Sequence, residues 1–220
     1  MMHRSKASIR ETYDRIASSY AASRTRPWPE VLEFLATLPR RSAILDVGCG
    51  HGRHSKPAAR AGHRVIGVDL CRPLLVIGND ASAEAKTARI EWLVGDATSL
   101  PIRGSTFDAA LCVAVLHHLP SREDRVAALA EVRRVLRPSG RAFISVWAKD
   151  NPYLRDVLGL RLEEDDVEVP WHLPDGTAVP RFYHLFSEGE LKRLIIESRL
   201  HGERFFRASG NLFAVTTRDG

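Results

Sequence analysis

Asp46-Val47-Gly48-Cys49-Gly50-His51-Gly52 decides the fold of this chain, because it joins a short apolar run, Ala43 to Val47, to a segment that reads as a helix. Glycines in such a turn let the backbone bend tightly and let a ligand come where a side chain would collide. In an open α/β sheet this position, just past the carboxyl end of a strand, is where nucleotide-like ligands sit. Working outward, further runs read as buried strands: Arg64-Val65-Ile66-Gly67-Val68, Ile90 to Val94, Phe107 to Val113 and Ala142 to Trp147. Ser121 with Glu123 and Asp124 reads as a capped helix start, and Val126, Leu129, Val132, Val135 and Leu136 keep helical spacing until Pro138 and Gly140. Strands alternating with helices predict a mostly parallel sheet covered on both faces.

From Lys149 to about Pro180 the pattern breaks, with prolines at 152, 170, 174 and 180 and the acidic run Glu163 to Asp166. A connection of that length in a compact domain usually covers or builds a site, so it is expected to be an insertion or loop acting as a substrate lid. Regular structure resumes with Ser187 capping a helix through Leu191, Leu194 and Ile195. Two strand-like runs, Glu203 to Phe206 and Leu212 to Thr216, then suggest a terminal hairpin at the sheet edge.

The 220 residues suit one domain. The 44% hydrophobic content is spread along the chain, without the roughly 18 consecutive apolar residues a membrane helix needs. Arg4 and Lys6 precede no apolar core of a signal peptide, so a soluble, cytoplasmic protein is expected. Three cysteines cannot all pair and lack zinc spacing, and the nine histidines show no ligand pattern; no metal is expected. The net charge of +5 permits a polyanionic partner without requiring one.

Two further acids sharpen the glycine loop. Asp69 ends the second strand, where a carboxylate can accept from both hydroxyls of a ribose, and Asp96 ends the third, where one can accept from an adenine amino group. The dinucleotide fingerprint would need a third glycine at Arg53 and leaves Asp46 unexplained. The pattern resembles the class I methyltransferases over about residues 40 to 150, which implies a Rossmann-like α/β fold. That fold has a mostly parallel seven-stranded sheet, helices on both faces and an antiparallel C-terminal edge strand. The resemblance implies S-adenosyl-L-methionine as cofactor, held by Asp46, Gly48, Cys49, Gly50, Gly52, Asp69, Leu70, Asp96, Ala97 and Val113. Asp46 would face the methionine ammonium group; bracing the glycine turn is its other reading. The expected parts are an N-terminal helical and basic segment (1–40), a cofactor core (41–148), a lid (149–186) and a C-terminal helix and hairpin (187–217).

More distant segments narrow the acceptor. Ser23-Arg24-Thr25-Arg26-Pro27-Trp28-Pro29, Val113 to His118, Val146-Trp147-Ala148, Val169-Pro170-Trp171-His172, Arg181 to Leu191 and Gly210-Asn211 resemble, in order and spacing, the eukaryotic wobble-uridine tRNA carboxymethyluridine methyltransferases. That family includes the methyltransferase domain fused to an AlkB-type oxygenase in animals. The resemblance implies methylation of the carboxylate of 5-carboxymethyluridine in the tRNA anticodon. It also implies a partner, a small zinc-binding activator subunit that covers apolar surface near the sheet edge. A carboxylate with pKa near 4 is already ionised at neutral pH and needs no general base, so positioning should dominate. Arg24 is expected to hold the carboxylate, with His117 or His118 orienting it. Arg26, Trp28, Trp147, Trp171, Arg181, Tyr183 and His184 are expected on the nucleotide side. A small-molecule methyltransferase acting on a quinone precursor or a carboxylic acid is the competing enzymatic reading, and a non-catalytic RNA-binding scaffold is the reading of another class.

Overall fold

The computed structural model describes residues 5–84, 90–156, 158–159 and 164–219. Arg4 of the basic N-terminus and Glu163 of the acidic run lie outside these described residues. The first half of the chain runs α1 (Lys6–Ser23), α2 (Pro29–Ala36), β1 (Ala43–Val47), α3 (Ser55–Arg60), β2 (Arg64–Asp69), α4 (Arg72–Glu84), β3 (Ile90–Val94) and β4 (Phe107–Val113). It continues through α5 (Arg122–Val135), β5 (Leu136–Trp147), α6 (Pro152–Asp156), β6 (Asp166–His172), β7 (Ala178–His184), α7 (Glu188–Glu197), β8 (His201–Ala208) and β9 (Asn211–Thr217). Seven strands form one sheet in the order β3-β2-β1-β4-β5-β9-β8. The first five pair in parallel, while β9 is antiparallel to both β5 and β8. The terminal hairpin expected at the edge is therefore present, with its antiparallel strand inside and β8 outermost.

The central strand β1 is buried on both faces, as a parallel strand between two helical layers must be. Ile44 packs with Val65, Ala109, Leu111 and Phe143 under Val31, Phe34 and Leu35 of α2 and Ala58 and Ala59 of α3. Leu45 and Val47 point the other way, with Ala110, Cys112 and Ile144 under Leu129 and Val132 of α5 and Leu191 and Leu194 of α7. Period-two alternation thus sends neighbouring residues to opposite cores. Both serine caps form: Ser121 Oγ accepts from Asp124 N–H and Ser187 Oγ from Glu190 N–H. No helix among the described residues is long and apolar enough to cross a membrane.

The segment expected as a loop holds more structure than its prolines suggested. Strands β6 and β7 form a separate two-stranded ribbon in which Pro170 lies opposite Pro180. Both strands of such a ribbon are edge strands, so a missing N–H on the outer side breaks no ladder bond. β7 leans against α1 and against the short 3-10 turn Leu116–His118 that follows β4.

Phe143 joins the sheet to α2. Its ring centroid lies 5.2 Å from that of Phe34 and 5.6 Å from that of Phe213, and it is 1% exposed. Phe143→Ala is expected to lower the unfolding free energy by about 3–5 kcal/mol in denaturant titration, because a filled core position becomes a cavity.

Candidate active site

Two adjoining cavities open where β1 and β4 carry the chain away in opposite directions, the crevice that an order reversal creates in such sheets. Gly48, Gly50, Asp69, Leu70, Asp96 and Ala97 line the first. The roof is α1, whose Lys6, Ile9, Tyr13 and Tyr20 also line it and share one helical face. Asp69 Oδ2 accepts from Gly50 N–H at 2.7 Å and Oδ1 from Cys71 N–H at 2.8 Å, so one carboxylate ties together the loops after β1 and β2. Gly50 has φ +56°, and a Cβ built there meets only Leu74 at 3.8 Å, so the cavity itself is what its missing side chain leaves free. Asp96 accepts from Thr98 N–H and is paired with Lys6 Nζ at 2.8 Å. Burial alone would raise its pKa, yet Lys6 and Thr98 outweigh burial and hold it below the usual carboxylate value.

The structure keeps four of the residues expected on the cofactor out of this lining. Asp46 is 2% exposed and accepts from Ser55 Oγ at 2.6 Å, so it braces the start of α3 behind the loop and does not face the cavity. Cys49 turns back onto Gly67, and Gly52, at φ +80°, lies under Trp92, where a Cβ would come within 2.3 Å of the ring. Val113 packs into the α2 and α3 core.

The second cavity is lined by Arg24, Trp28, Arg53, His117, His118, Trp147, Arg181 and Tyr183, together with Tyr20, Glu30, Asn151, Tyr153 and Asn211. His118 and Ala114 line both cavities and form the partition between them. Ala114 sits at φ +61° at the top of β4, held by its N–H to Ser145 O at 3.1 Å and to Ser145 Oγ at 3.0 Å. Hydrogen bonds assign the histidine tautomers. His118 Nδ1 faces the Phe182 carbonyl at 3.2 Å and must donate, so its Nε2 accepts from Tyr13 Oη–H at 2.9 Å. His117 Nδ1 accepts from Trp147 N–H at 3.3 Å, which leaves a proton on Nε2. His118 is thus fully used, while His117 keeps a donor. Burial pushes the His118 pKa down to about 3 and that of His117 well below its ordinary value, with neighbouring positive charge adding to both. Both rings are neutral at pH 7 and are weak bases.

Arg181 is 5% exposed. Its Nη1 donates to Tyr183 Oη at 2.8 Å, its Nε is buried without an acceptor, and no carboxylate among the described residues lies within 4 Å of it. A guanidinium stays charged, so this is a buried cation whose neighbours are a phenol oxygen and the rings of Trp171 and Tyr183. Arg24 and Arg53 reach the same cavity, stacked on Trp171 and Trp28 with ring distances of 5.4 and 5.1 Å. Trp171 does not line the cavity; it braces Arg24 and Arg181 from behind, and its Nε1 donates to Ser19 Oγ at 2.9 Å. His184 is likewise displaced, its ring nitrogens bound to Asp166 at 2.7 Å and Glu190 at 2.9 Å beneath β7. Arg26 lies exposed beyond the cavity mouth. Lys6, Tyr13, Tyr20 and Arg53 were not anticipated; the 6, 9, 13, 20 stripe on α1 was the legible signal for three of them.

Buried Asp46 gives a pH test. Burial raises its pKa to about 7, opposed by the Ser55 hydrogen bond and reinforced by Asp69. An unfolded aspartate titrates near 4. The folded state therefore holds this proton more tightly, so the group's contribution is full below pH ~4 and declines as pH rises through about 7. Asp46→Asn keeps an acceptor for Ser55 and removes the titration. Unfolding free energies from pH 4 to 8 should show wild type losing stability relative to this variant as pH rises.

Residues 45–144 match the family described as a methyltransferase domain. The frog Xenopus tropicalis protein named tRNA (carboxymethyluridine(34)-5-O)-methyltransferase alkbh8 is 33% identical over 84% of this chain, which spans 36% of that protein's length. A Schizosaccharomyces pombe protein named tRNA (carboxymethyluridine(34)-5-O)-methyltransferase is 32% identical over 85% of this chain and 86% of its own. Among solved structures, a SAM-dependent methyltransferase of Methanosarcina mazei superposes with a TM-score of 0.74 at 23% identity, covering 88% of this chain and 99% of that one. A chain from the complex of the Haloferax volcanii Trm112 methyltransferase activator with a methyltransferase superposes at 0.70 with 18% identity, covering 96% and 98%. Both structural likenesses bear on the fold. The match along nearly all of the fission-yeast protein goes further, and by it the chain belongs to the tRNA (carboxymethyluridine(34)-5-O)-methyltransferase family.

Proposed function

We propose that this chain methylates the carboxylate of 5-carboxymethyluridine, or a related wobble uridine acid, in the tRNA anticodon, using S-adenosyl-L-methionine. The observation that carries the reading is Arg181, a buried guanidinium with no carboxylate within 4 Å among the described residues, in a cavity that shares the wall of Ala114 and His118 with the one at the glycine loop. S-adenosyl-L-methionine supplies an electrophilic methyl group on a sulfonium. The residues of the first cavity suit it. Asp69 retains lone pairs for ribose hydroxyls beyond its two backbone bonds, Asp96 can accept from an adenine amino group beside Lys6, and Gly50 leaves room for backbone approach.

On the acceptor side, Arg181 and Arg24 would clamp the carboxylate and His117 Nε2–H would donate to it. Trp147 and Trp28 offer ring surface for a uracil, and each base stacked on an aromatic side chain is worth about 1–3 kcal/mol in known systems. The neutral histidines favour this reading over carbon methylation of a small molecule, which asks for a competent general base. An ionised oxygen acceptor needs only alignment with the methyl group. The β6–β7 ribbon, through Arg181 and Tyr183, would act as the lid over the acceptor.

An activator subunit comparable to Trm112 is part of the proposal. The activator complex among the fold neighbours supports it, as do Val94 on edge strand β3 and Val76 on adjoining α4, which are 53% and 47% exposed. Cytoplasmic action is proposed with it; all three cysteines are unpaired and buried, in keeping with a reducing compartment.

Incubation with labelled methyl donor and tRNA lacking the ester, followed by nucleoside mass spectrometry, is expected to show label in the wobble methyl ester. Label in a small metabolite alone would overturn the assignment. Asp69→Ala should weaken cofactor binding tenfold or more by calorimetry, since a hydrogen bond to a charged group is worth about 1.5–3 kcal/mol. Arg181→Gln and His117→Ala should leave cofactor affinity near wild type and depress methyl transfer to tRNA.

A further inference from the structure

One run of positive charge, which starts in the second cavity and leads away from it, has no carboxylate partner within 4 Å among the described residues. Arg53, Lys56 and Arg60 are spaced three and four residues apart along the loop into α3 and the helix itself, which puts them on one side. Arg53 stands in the acceptor cavity. At ~1.5 Å of rise per residue, Arg60 lies about 10 Å further along. The strip continues at the foot of the sheet. Arg64 N–H bonds the Ser42 carbonyl at 3.0 Å, beside Arg41, and Arg40 lines a hollow with Pro57 and Ala61 of α3. Arg40, Arg41, Arg60 and Arg64 are exposed.

None of these cations has a carboxylate within 4 Å among the described residues, whereas Arg122, Arg134, Arg137, Arg141 and Arg207 each hold one. Of the acids on α2, which packs on α3, Glu30 shares a cavity with Arg53 alone of these cations and Glu33 with none of them. Glu30 lines the acceptor cavity, and Glu33 faces a groove with Arg141 and Arg204. Lys56 and Arg60 form a like-charged i, i+4 pair, an arrangement that weakens a helix unless an anion lies across it. Burial and then the Arg60 charge lower the Lys56 pKa, in keeping with an unneutralised field.

We propose that this strip, from Arg53 through Lys56 and Arg60 to Arg64 and Arg40, binds the sugar-phosphate backbone of the tRNA stem as it leaves the acceptor cavity. The inference rests on the tRNA reading above and adds where the RNA lies. Phosphate contacts of this kind set register and contribute affinity that falls with salt.

The test is tRNA binding measured across a salt series. A Lys56→Gln/Arg60→Gln/Arg64→Gln variant should lower the slope of log affinity against log salt by about 2, since each phosphate contact contributes ~0.7–0.9. Affinity at physiological salt should fall tenfold or more, while melting temperature and cofactor affinity hold. Arg103→Gln/Arg193→Gln/Arg199→Gln, which removes equal charge from exposed positions elsewhere, should change the slope little. Equal losses in both variants would mean attraction by net charge alone, and an unchanged slope in the α3 variant would remove the strip; either result overturns the proposal. Wild type that binds tRNA with the expected salt slope but transfers no methyl would sink the acceptor assignment and leave the strip standing.

Discussion

The carboxylate of Asp69 holds together two loops that the sheet alone would leave independent. It ends β2, yet its two oxygens accept from Gly50 after β1 and Cys71 after β2. Parallel strands deliver both loops to the same edge, and the order reversal beside β1 keeps that edge open. Without the bridge, a loop with three glycines at positive φ would sample many conformations at a large entropic cost. Asp46 and Ser55 brace the same loop from below, and Trp92 closes over Gly52 from the side. The loop's wall of the first cavity is therefore backbone fixed by buried side chains.

The acceptor cavity follows a different logic. Its histidines are kept neutral by burial, so the permanent charge there belongs mainly to arginines, opposed by Glu30 alone among the lining residues. The charge balance of such a cavity is positive, and it offers no strong base. His117 stacks on Tyr183 with ring centroids 4.7 Å apart, Tyr183 accepts from Arg181, and Tyr13 links His118 back to α1. Each polar group near the reacting positions is thus held by another element, which limits the reorganisation a bound acceptor would require.

Much of this was readable in advance, for identifiable reasons. The parallel sheet was legible because doubly buried strands such as Ala43 to Val47 and Phe107 to Val113 are nearly continuous apolar runs, and the capped helices because Ser121 and Ser187 each stand before acidic first turns. Asp69, Gly50 and Asp96 were legible as cavity-lining residues because their place there follows from position at a strand end. Asp46, Cys49, Gly52 and Val113 belong to the same motif but act on its hidden side, and residue type does not tell the two sides of a loop apart. His184 follows Tyr183 on the same strand, so alternation turns it to the other face; Trp171 shares the face of Arg181 but lies under its guanidinium, and that register depended on a pairing that the prolines disguised. The stripe on α1 was legible as a helical face, but what it covers was not, since contact between residue 13 and residue 118 is a matter of tertiary packing.

That helix has a further consequence. Its apolar contacts form a small cluster of their own, Ala17 and Ala21 with Cys71 and Leu74, apart from the two large cores that hold the sheet. The machinery for folding and the covering of both chambers are thus written in different stretches of chain. A substitution in that helix would therefore alter the walls of the first cavity while leaving the packing of the strands beneath it as it is.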